Sequence, residues 1–300
     1  MSSQGENALK GKVQRPRKND KRFQTWCAAR GEPPLPADPG VVARFCANEA
    51  EAGRAPSTIT RRLAAIGWAH KRAGHKPPQR VDGGGAIAEV MAGIRRSRAA
   101  PPAQKAAADA DVLRDMLRAC TGDRLRAVRA RAVLAIGFAG AFRRSELVAL
   151  RVEDLRRDAE GIRVVIRRSK ADQEGEGAVV AIPHGDRLRP VAALDAWLAA
   201  GRLAEGFVFR RIGRAGQVTD EPMSDRAVAR LVQAAARAAG YDPALFGGHS
   251  LRAGFITSAA RTGASIFKIQ EISRHRSLQV LAGYVRDAQI YRDHAGSGCL

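Results

Sequence analysis

Apolar residues in the first third of the chain recur at helical spacing and predict four helices. In the third of these, Ile59, Leu63 and Ile66 share one face, because residues three and four apart are neighbours on a helix. Asp38 before Pro39 is typical of an N-cap followed by proline at the first helical position. The predicted helices span 20–30, 38–53, 57–74 and 86–96. Residues 20–97 are therefore expected to form an all-helical domain.

The pattern beyond residue 108 is mixed and predicts a second, mainly helical domain over residues 109–300 with a small antiparallel sheet. Alternating apolar positions predict two strands, and the polar, glycine-rich segment 169–177 between them predicts a hairpin turn. The strands are expected at 162–168 and 178–183, and the helices at 110–120, 123–141, 190–200, 224–239, 251–262 and 265–273.

Two segments lack a clear apolar period. Residues 1–19 are polar and basic and predict a disordered arm, and residues 98–108 carry a proline pair and predict the interdomain linker. The triple glycine at 83–85 follows no strand and precedes no Gly-Lys-Ser/Thr sequence, so it is not interpreted as a phosphate-binding loop.

The charge of the chain indicates that this fold binds nucleic acid. The chain has 51 basic and 30 acidic residues, a formal net charge of +21. Residues 1–100 hold 19 basic and 8 acidic residues, so both predicted domains carry a basic excess. An arginine-rich composition explains part of this excess but not the shortage of acids. We expect double-stranded DNA as the partner.

Other classes are disfavoured. The longest apolar run, Ala132 to Phe142, is shorter than the roughly 20 residues of a membrane span. The first twenty residues lack the apolar core of a secretory signal. The four cysteines are scattered without a Cys-x-x-Cys pair, so neither a metal site nor a disulfide framework is predicted. A reduced, cytoplasmic, nucleoid-associated protein of a bacterium, phage or plasmid is expected, without membrane contact.

Five short stretches carry candidate chemistry. Arginines at the end of an apolar helix can clamp a phosphate, a lysine can give up a proton, and a tyrosine can act as a nucleophile when cations lie close by. Each motif alone has an ordinary alternative, such as a surface turn or a packed tyrosine. The candidates in chain order are Arg143, Lys170, His249, Arg252, His275 and Tyr284, with Glu146 beside the first.

Taken together, this ordered set resembles the tyrosine recombinase (phage integrase) family, and the two-domain plan is most similar to Cre-like and Xer-like members. The nine-residue gap from His275 to Tyr284 is similar as well. The family usually has Leu-Gly before its second histidine, where this chain has Ser273 and Arg274. Arg143 and Arg144 both fit the first arginine, and alignment on Arg-x-Ser-Glu-Leu selects Arg143. One helical step turns a side chain by about 100°, so the two are not expected in one site.

The resemblance implies a SAM-like helical core-binding domain and a catalytic domain of the DNA breaking-rejoining fold. It implies that Tyr284 attacks a DNA phosphodiester to form a 3′-phosphotyrosine without metal, ATP or any cofactor. Arg143 and Arg252 would bind the phosphate oxygens, while Glu146 would support the site. It further implies proton transfer by His249 and Lys170, and a hydrogen bond from His275 to the phosphate. The acting form would be a homotetramer on two DNA sites, and the free form a monomer or weak oligomer.

DNA contacts are predicted more coarsely. The resemblance aligns Arg226 with a base-contacting arginine, and the third predicted helix offers four basic residues, for which a phosphate contact or a solvated charge is the alternative. These four residues are Arg61, Arg62, Lys71 and Arg72. Two other functions stay open on sequence grounds: a monomeric type IB topoisomerase, which uses the same chemistry, and a non-catalytic DNA-binding protein of the same fold.

Overall fold

A computed structural model describes residues 18–98, 105–121, 124–167 and 177–288 of the chain. Its internal contacts divide the chain into two compact units, Met1–Pro102 and Ala103–Leu300. The predicted hairpin turn with Lys170, most of the predicted linker and all but the last two residues of the predicted arm lie outside the described residues.

The described part of the first unit holds four α-helices, as the sequence predicts. The Asp38 carboxylate caps the second helix by accepting hydrogen bonds from the backbone N–H groups of Gly40 (2.7 Å) and Val41 (3.3 Å). Phe23 and Phe45 pack edge to face in the core, with ring centroids 5.1 Å apart. The helices are α1 (Lys18–Ala28), α2 (Pro39–Glu51), α3 (Pro56–Arg72) and α4 (Gly85–Ser97).

Eight further helices lie in the described part of the second unit. Six correspond to predicted helices, whereas the six-residue α7 and the last helix, α12, were not predicted. They are α5 (Ala110–Ala119), α6 (Arg124–Ala139), α7 (Arg144–Ala149), α8 (Pro190–Gly201), α9 (Asp225–Ala238), α10 (Ser250–Arg261), α11 (Ile266–Ser273) and α12 (Leu278–Ala288). The prediction of a mainly helical fold with a small antiparallel sheet is confirmed, and a second, two-stranded antiparallel sheet is present in addition.

Five short strands form two antiparallel sheets among the described residues of this unit. Val164 pairs with Leu155 on one side and Val180 on the other, and Ile162, Val164 and Ile166 point into the core. The alternation is that of a sheet with one buried face. The sheets are β1 (Leu155–Arg157), β2 (Gly161–Ile166) and β3 (Ala178–Pro183), and β4 (Arg210–Ile212) with β5 (Val218–Pro222).

Helix α6 is the central element of the second unit. Every residue from Ala132 to Phe138 is buried, so this stretch has no solvent-facing side. Gly137 allows the close approach of α10, since a Cβ there would lie 2.9 Å from the Leu251 side chain. The turn that follows α6 is thereby fixed in the core. None of the described helices is long and apolar enough to cross a membrane.

Candidate active site

The site is built around the turn that follows α6. Ala141, at φ +45°, occupies the left-handed region that residues with a Cβ seldom adopt. Arg143 then has extended backbone (φ −69°, ψ 148°) and stands as the N-cap of α7. The reversal turns the Ala141 carbonyl toward Arg252 on α10 and the Arg143 side chain toward the end of α11.

Glu146, one turn into α7, ties Arg143 to this position. Its carboxylate accepts hydrogen bonds from the Arg143 backbone N–H (2.9 Å) and from the Arg143 guanidinium (2.5 Å). The residue is only 3% exposed. Burial alone would raise the pKa of Glu146, but Arg274 and Arg143 outweigh it and hold that pKa below its usual range. The carboxylate is therefore ionised at neutral pH.

The neighbouring Arg144 faces His249. The Arg144 stem lies against Gly248, where an added Cβ would fall 1.9 Å from its Cδ, so no side chain fits there without displacing Arg144. Shielding from water, then Arg144, Arg252 and Arg143, lower the pKa of His249. Arg143 precedes the helix, so the 100° step between helical neighbours does not apply to it, and both Arg143 and Arg144 act electrostatically on His249.

Arg252 is the most buried cation among the candidates that the structure describes, at 5% exposure. Its Nη1 donates to the Ala141 carbonyl (2.7 Å) and its Nη2 lies 3.1 Å from His275 Nδ1. Burial, together with the nearby Arg143 and Arg274, lowers the pKa of Arg252 to about 10. The guanidinium is still charged at neutral pH.

His275 is neutral at working pH, because burial and three neighbouring arginines lower its pKa to about 4. The Ser273 hydroxyl lies 2.8 Å from His275 Nδ1, the same nitrogen that Arg252 approaches. A guanidinium can only donate, and Arg252 Nη2 lies closer to Nδ1 (3.1 Å) than to Nε2 (3.4 Å), which favours the tautomer with Nδ1 as acceptor and the ring proton on Nε2. That Nε2–H is the group the site can offer to an oxygen ligand.

Tyr284 lies on α12, which packs against α10. Its partly buried ring contacts a small apolar cluster that includes Ile256 and Leu281. It is close enough to Arg252 to interact with it electrostatically. The two other tyrosines differ: the Tyr241 hydroxyl donates to Asp115 at 2.8 Å, and Tyr291 lies outside the described residues.

Two residues of the cluster were not singled out from the sequence. Arg274 donates to the Glu146 carboxylate (2.9 Å), and Ser273 is fully buried against His275. The signal available in the sequence was that both stand where the related family has Leu-Gly. Lys170 lies outside the described residues.

The basic residues predicted to contact DNA fall into two groups. Arg61, Lys71, Arg72 and Arg226 are exposed. Arg62 departs from the prediction: its side chain is only 12% exposed and forms an ion pair with the buried Glu49. In the parts of the chain that the structure describes, no three His, Cys, Asp or Glu residues lie close enough to hold a metal ion.

Comparison with known proteins places this geometry in context. The Phage integrase family matches residues 107–289. The "Integrase/recombinase xerD homolog" of Selenomonas ruminantium is 34% identical over 275 residues, which cover 91% of this chain and 80% of the relative. The "Recombinase cre" of Escherichia phage P1 is 25% identical over 285 residues, covering 88% of this chain and 80% of that protein.

Solved structures show the same fold at low sequence identity. The XerH site-specific recombinase in its post-cleavage complex with a palindromic difH substrate has a TM-score of 0.63 and 14% identity, covering 84% of this chain and 70% of that one. The Tn1549 transposon integrase with transposon right end DNA has a TM-score of 0.61 and 16% identity, covering 92% and 90%.

Proposed function

Because the chain belongs to the phage integrase family, we propose that this site-specific recombinase cuts and rejoins DNA through a covalent 3′-phosphotyrosine. The observation that carries the proposal is the convergence of two guanidinium groups and a neutral imidazole at the turn after α6, with a tyrosine within electrostatic range. Arg143 and Arg252 are both tied to this turn, His275 lies against Arg252, and Tyr284 interacts electrostatically with Arg252.

In the proposed step the Tyr284 phenolic oxygen attacks the scissile phosphorus. The bond from phosphorus to the 5′ oxygen breaks, and the 3′ phosphate stays joined to the tyrosine. Arg143 and Arg252 stabilise the charge that develops on the non-bridging oxygens. Their positions are set by Glu146 and by the Ala141 carbonyl, so little reorganisation accompanies the reaction.

Three residues manage protons and hydrogen bonds in this proposal. His249 accepts the phenolic proton, which its lowered pKa permits because the imidazole is neutral at pH 7. His275 donates its Nε2–H to a phosphate oxygen. Lys170 gives a proton to the departing 5′ oxygen, a task that arginine could not perform. The phosphotyrosine keeps the energy of the broken ester, so religation needs neither ATP nor metal.

We assign DNA binding to both basic parts of the chain, with residues 20–97 as the core-binding domain, 98–108 as the linker and 109–300 as the catalytic domain. Arg61, Lys71, Arg72 and Arg226 remain candidate DNA contacts because they are exposed. Among the structural neighbours, XerH was solved with its palindromic difH substrate and the Tn1549 integrase with transposon right end DNA, which supports duplex DNA as partner. The proposed acting form is a homotetramer on two sites, and the proposed location is the cytoplasm.

A nicked suicide substrate tests the chemistry. The wild-type chain should become covalently attached to DNA in excess EDTA, with the adduct mapping to Tyr284 by peptide mass. Tyr284→Phe should abolish the adduct and leave DNA affinity nearly unchanged, since phosphate contacts dominate binding. An adduct on Tyr241 or Tyr291 in that variant, or a rate that requires magnesium, would contradict the proposal.

A second assay separates this function from its alternatives. Recombination between two sites on separate DNA molecules is expected of a recombinase. Relaxation of supercoils without strand exchange would instead indicate a topoisomerase-like activity, and binding without any adduct would indicate a non-catalytic DNA-binding protein.

A further inference from the structure

We propose that Arg274 is a positioning residue for strand cleavage: its guanidinium locks Glu146 and the turn after α6 into the arrangement that presents Arg143. The role rests on the function proposed above. Arg274 itself is not assigned to the phosphate, because its side chain is only 10% exposed and its donors are directed into the protein.

The backbone at Arg274 is the first observation. The residue ends α11 at φ +56° and ψ 43°, in the left-handed conformation that favours glycine at this position of a helix. An arginine here carries a backbone penalty that glycine would not. The contacts of the Arg274 side chain act against this penalty.

The contacts of the guanidinium are the second observation. Arg274 Nη2 donates to the Glu146 carboxylate at 2.9 Å and lies 3.4 Å from the Ala141 carbonyl. Nη1 donates to the carbonyls of Ile272 (2.5 Å) and Gly140 (3.2 Å). A positive charge is thus placed at the carbonyl end of α6, where the helix dipole favours it. One side chain joins the end of α6, the start of α7 and the end of α11.

The third observation is that the anchored groups are shared with the candidate catalytic arginines. Glu146 binds both Arg274 and Arg143, and the Ala141 carbonyl lies near both Arg274 and Arg252. Arg143 in turn donates to the backbone carbonyl of Arg274 at 3.0 Å. Removing the Arg274 guanidinium would leave the buried Glu146 with a single arginine partner and free the turn on one side.

Glycine is the informative replacement, because it relieves the backbone and removes the contacts. The chain offers a matched control in Arg202, which ends α8 at φ +51° and ψ 47° and is exposed. Under our proposal Arg274→Gly lowers the single-turnover cleavage rate of the full-length chain by roughly 10- to 100-fold at saturating protein. Arg202→Gly leaves that rate within about twofold of wild type.

A pH profile separates positioning from a merely structural role. Arg274 is the charge that most strongly lowers the pKa of Glu146, so this pKa rises in Arg274→Gly. The variant should then lose further activity as the pH falls across a range in which wild type does not. Two other arginines act on Glu146: Arg143, at the N-cap of the same helix, and Arg252 on α10. Three further charged residues line the cavity that adjoins Glu146, namely Arg151, Asp154 and Arg167.

The outcomes are decisive in each direction. Arg274→Gly cleaving at the wild-type rate overturns the proposal. Should Arg274→Gly fail to fold, as judged by its melting temperature, Arg274→Lys replaces it. Lysine keeps the charge but cannot reach the carboxylate and the carbonyls together, so a folded Arg274→Lys at the wild-type rate also overturns the proposal. A wild-type chain without a Tyr284 adduct would instead overturn the function on which this role rests.

Discussion

Two glutamates in this molecule are each buried between a pair of arginines, one in each unit. Glu49 on α2 lies between Arg22 and Arg62, with the Arg22 Nε 2.9 Å from its carboxylate. Glu146 on α7 lies between Arg143 and Arg274. Both acids are almost fully buried, at 2% and 3% exposure. By charge and burial alone the two clusters are close copies.

What surrounds them differs. The Glu49 cluster lines a cavity of about 630 Å³ together with Trp26 and Asn48, whose side chains are hydrogen-bonded to each other. The Glu146 cluster instead adjoins a strained turn, a buried Arg252 and a neutral His275. A buried acid between arginines therefore indicates a fixed structure. Chemistry is indicated only where further groups with other proton-transfer properties converge on it.

Removal of one arginine from each cluster should give the largest difference between the two. Arg143→Ala should lower the single-turnover cleavage rate by roughly 100- to 1,000-fold, the scale for losing one donor to a developing oxyanion. Arg22→Ala should leave the rate per bound complex within about twofold, because Arg22 is assigned no contact with the phosphate. Cleavage on a suicide substrate at saturating protein measures both.

A modified substrate controls for the kind of defect. With sulfur in place of the bridging 5′ oxygen, the leaving group no longer needs a proton. Lys170→Ala should then regain most of its lost rate, whereas Arg143→Ala should not. Recovery of Arg143→Ala on that substrate would show that Arg143 acts on the leaving group rather than on the non-bridging oxygens.

The two acids should separate stability from activity. Glu49→Gln leaves a buried Arg62 without its counter-charge and should destabilise the chain by about 3 kcal/mol, with the cleavage rate at 25 °C maintained. Glu146→Gln should lower the cleavage rate by roughly 10-fold or more in addition to any loss of stability. Urea denaturation and single-turnover cleavage measure the two effects. Equal losses of cleavage rate in both variants would show that the Glu49 and Glu146 clusters do not differ in their role in cleavage.

The smallest expected effect is a shift in pH dependence. Arg144 is the neighbouring charge that most lowers the pKa of His249, so Arg144→Gln raises that pKa toward its ordinary value. More of the imidazole is then protonated at pH 6 and cannot accept the tyrosine proton, which should slow cleavage there by about two- to threefold. At pH 8 the imidazole is neutral in either chain and the rates should agree. Arg144→Lys keeps the charge and should retain the wild-type profile.

Periodicity predicted the helices well because their apolar faces repeat over several turns. It did not predict the six-residue α7, the short strands β1, β4 and β5, or the eleven-residue α12. The sequence pattern also did not predict which basic residues are exposed to solvent. The spacing along α3 predicts an exposed position for Arg62, but its side chain is mostly buried because it forms an ion pair with the buried Glu49 on α2. Such an ion pair depends on which helices pack together, and this cannot be predicted from the spacing of residues along one helix.

The candidate site shows the same division. The ordered motif identified the residues from Arg143 to Tyr284, and their catalytic roles stay predictions. Arg274 and Ser273 became visible only when the structure placed them against Glu146 and His275. The proposed function of Arg274 depends on its contact with Glu146, which is more than 100 residues away in the sequence. That of Ser273 depends on which ring nitrogen of His275 carries the proton. Neither is encoded in a local pattern.

The second half of α6, residues 132–138, is buried on every side, and this bears on when the site forms. The end of such a helix cannot loosen without disrupting the core of its unit, and the contacts of Arg274 hold the turn that follows it. Backbone amides of residues 132–138 should therefore exchange with solvent no faster than the whole unit unfolds. The arginine end of the site is then assembled before DNA arrives, and the free energy of binding is not consumed in ordering it.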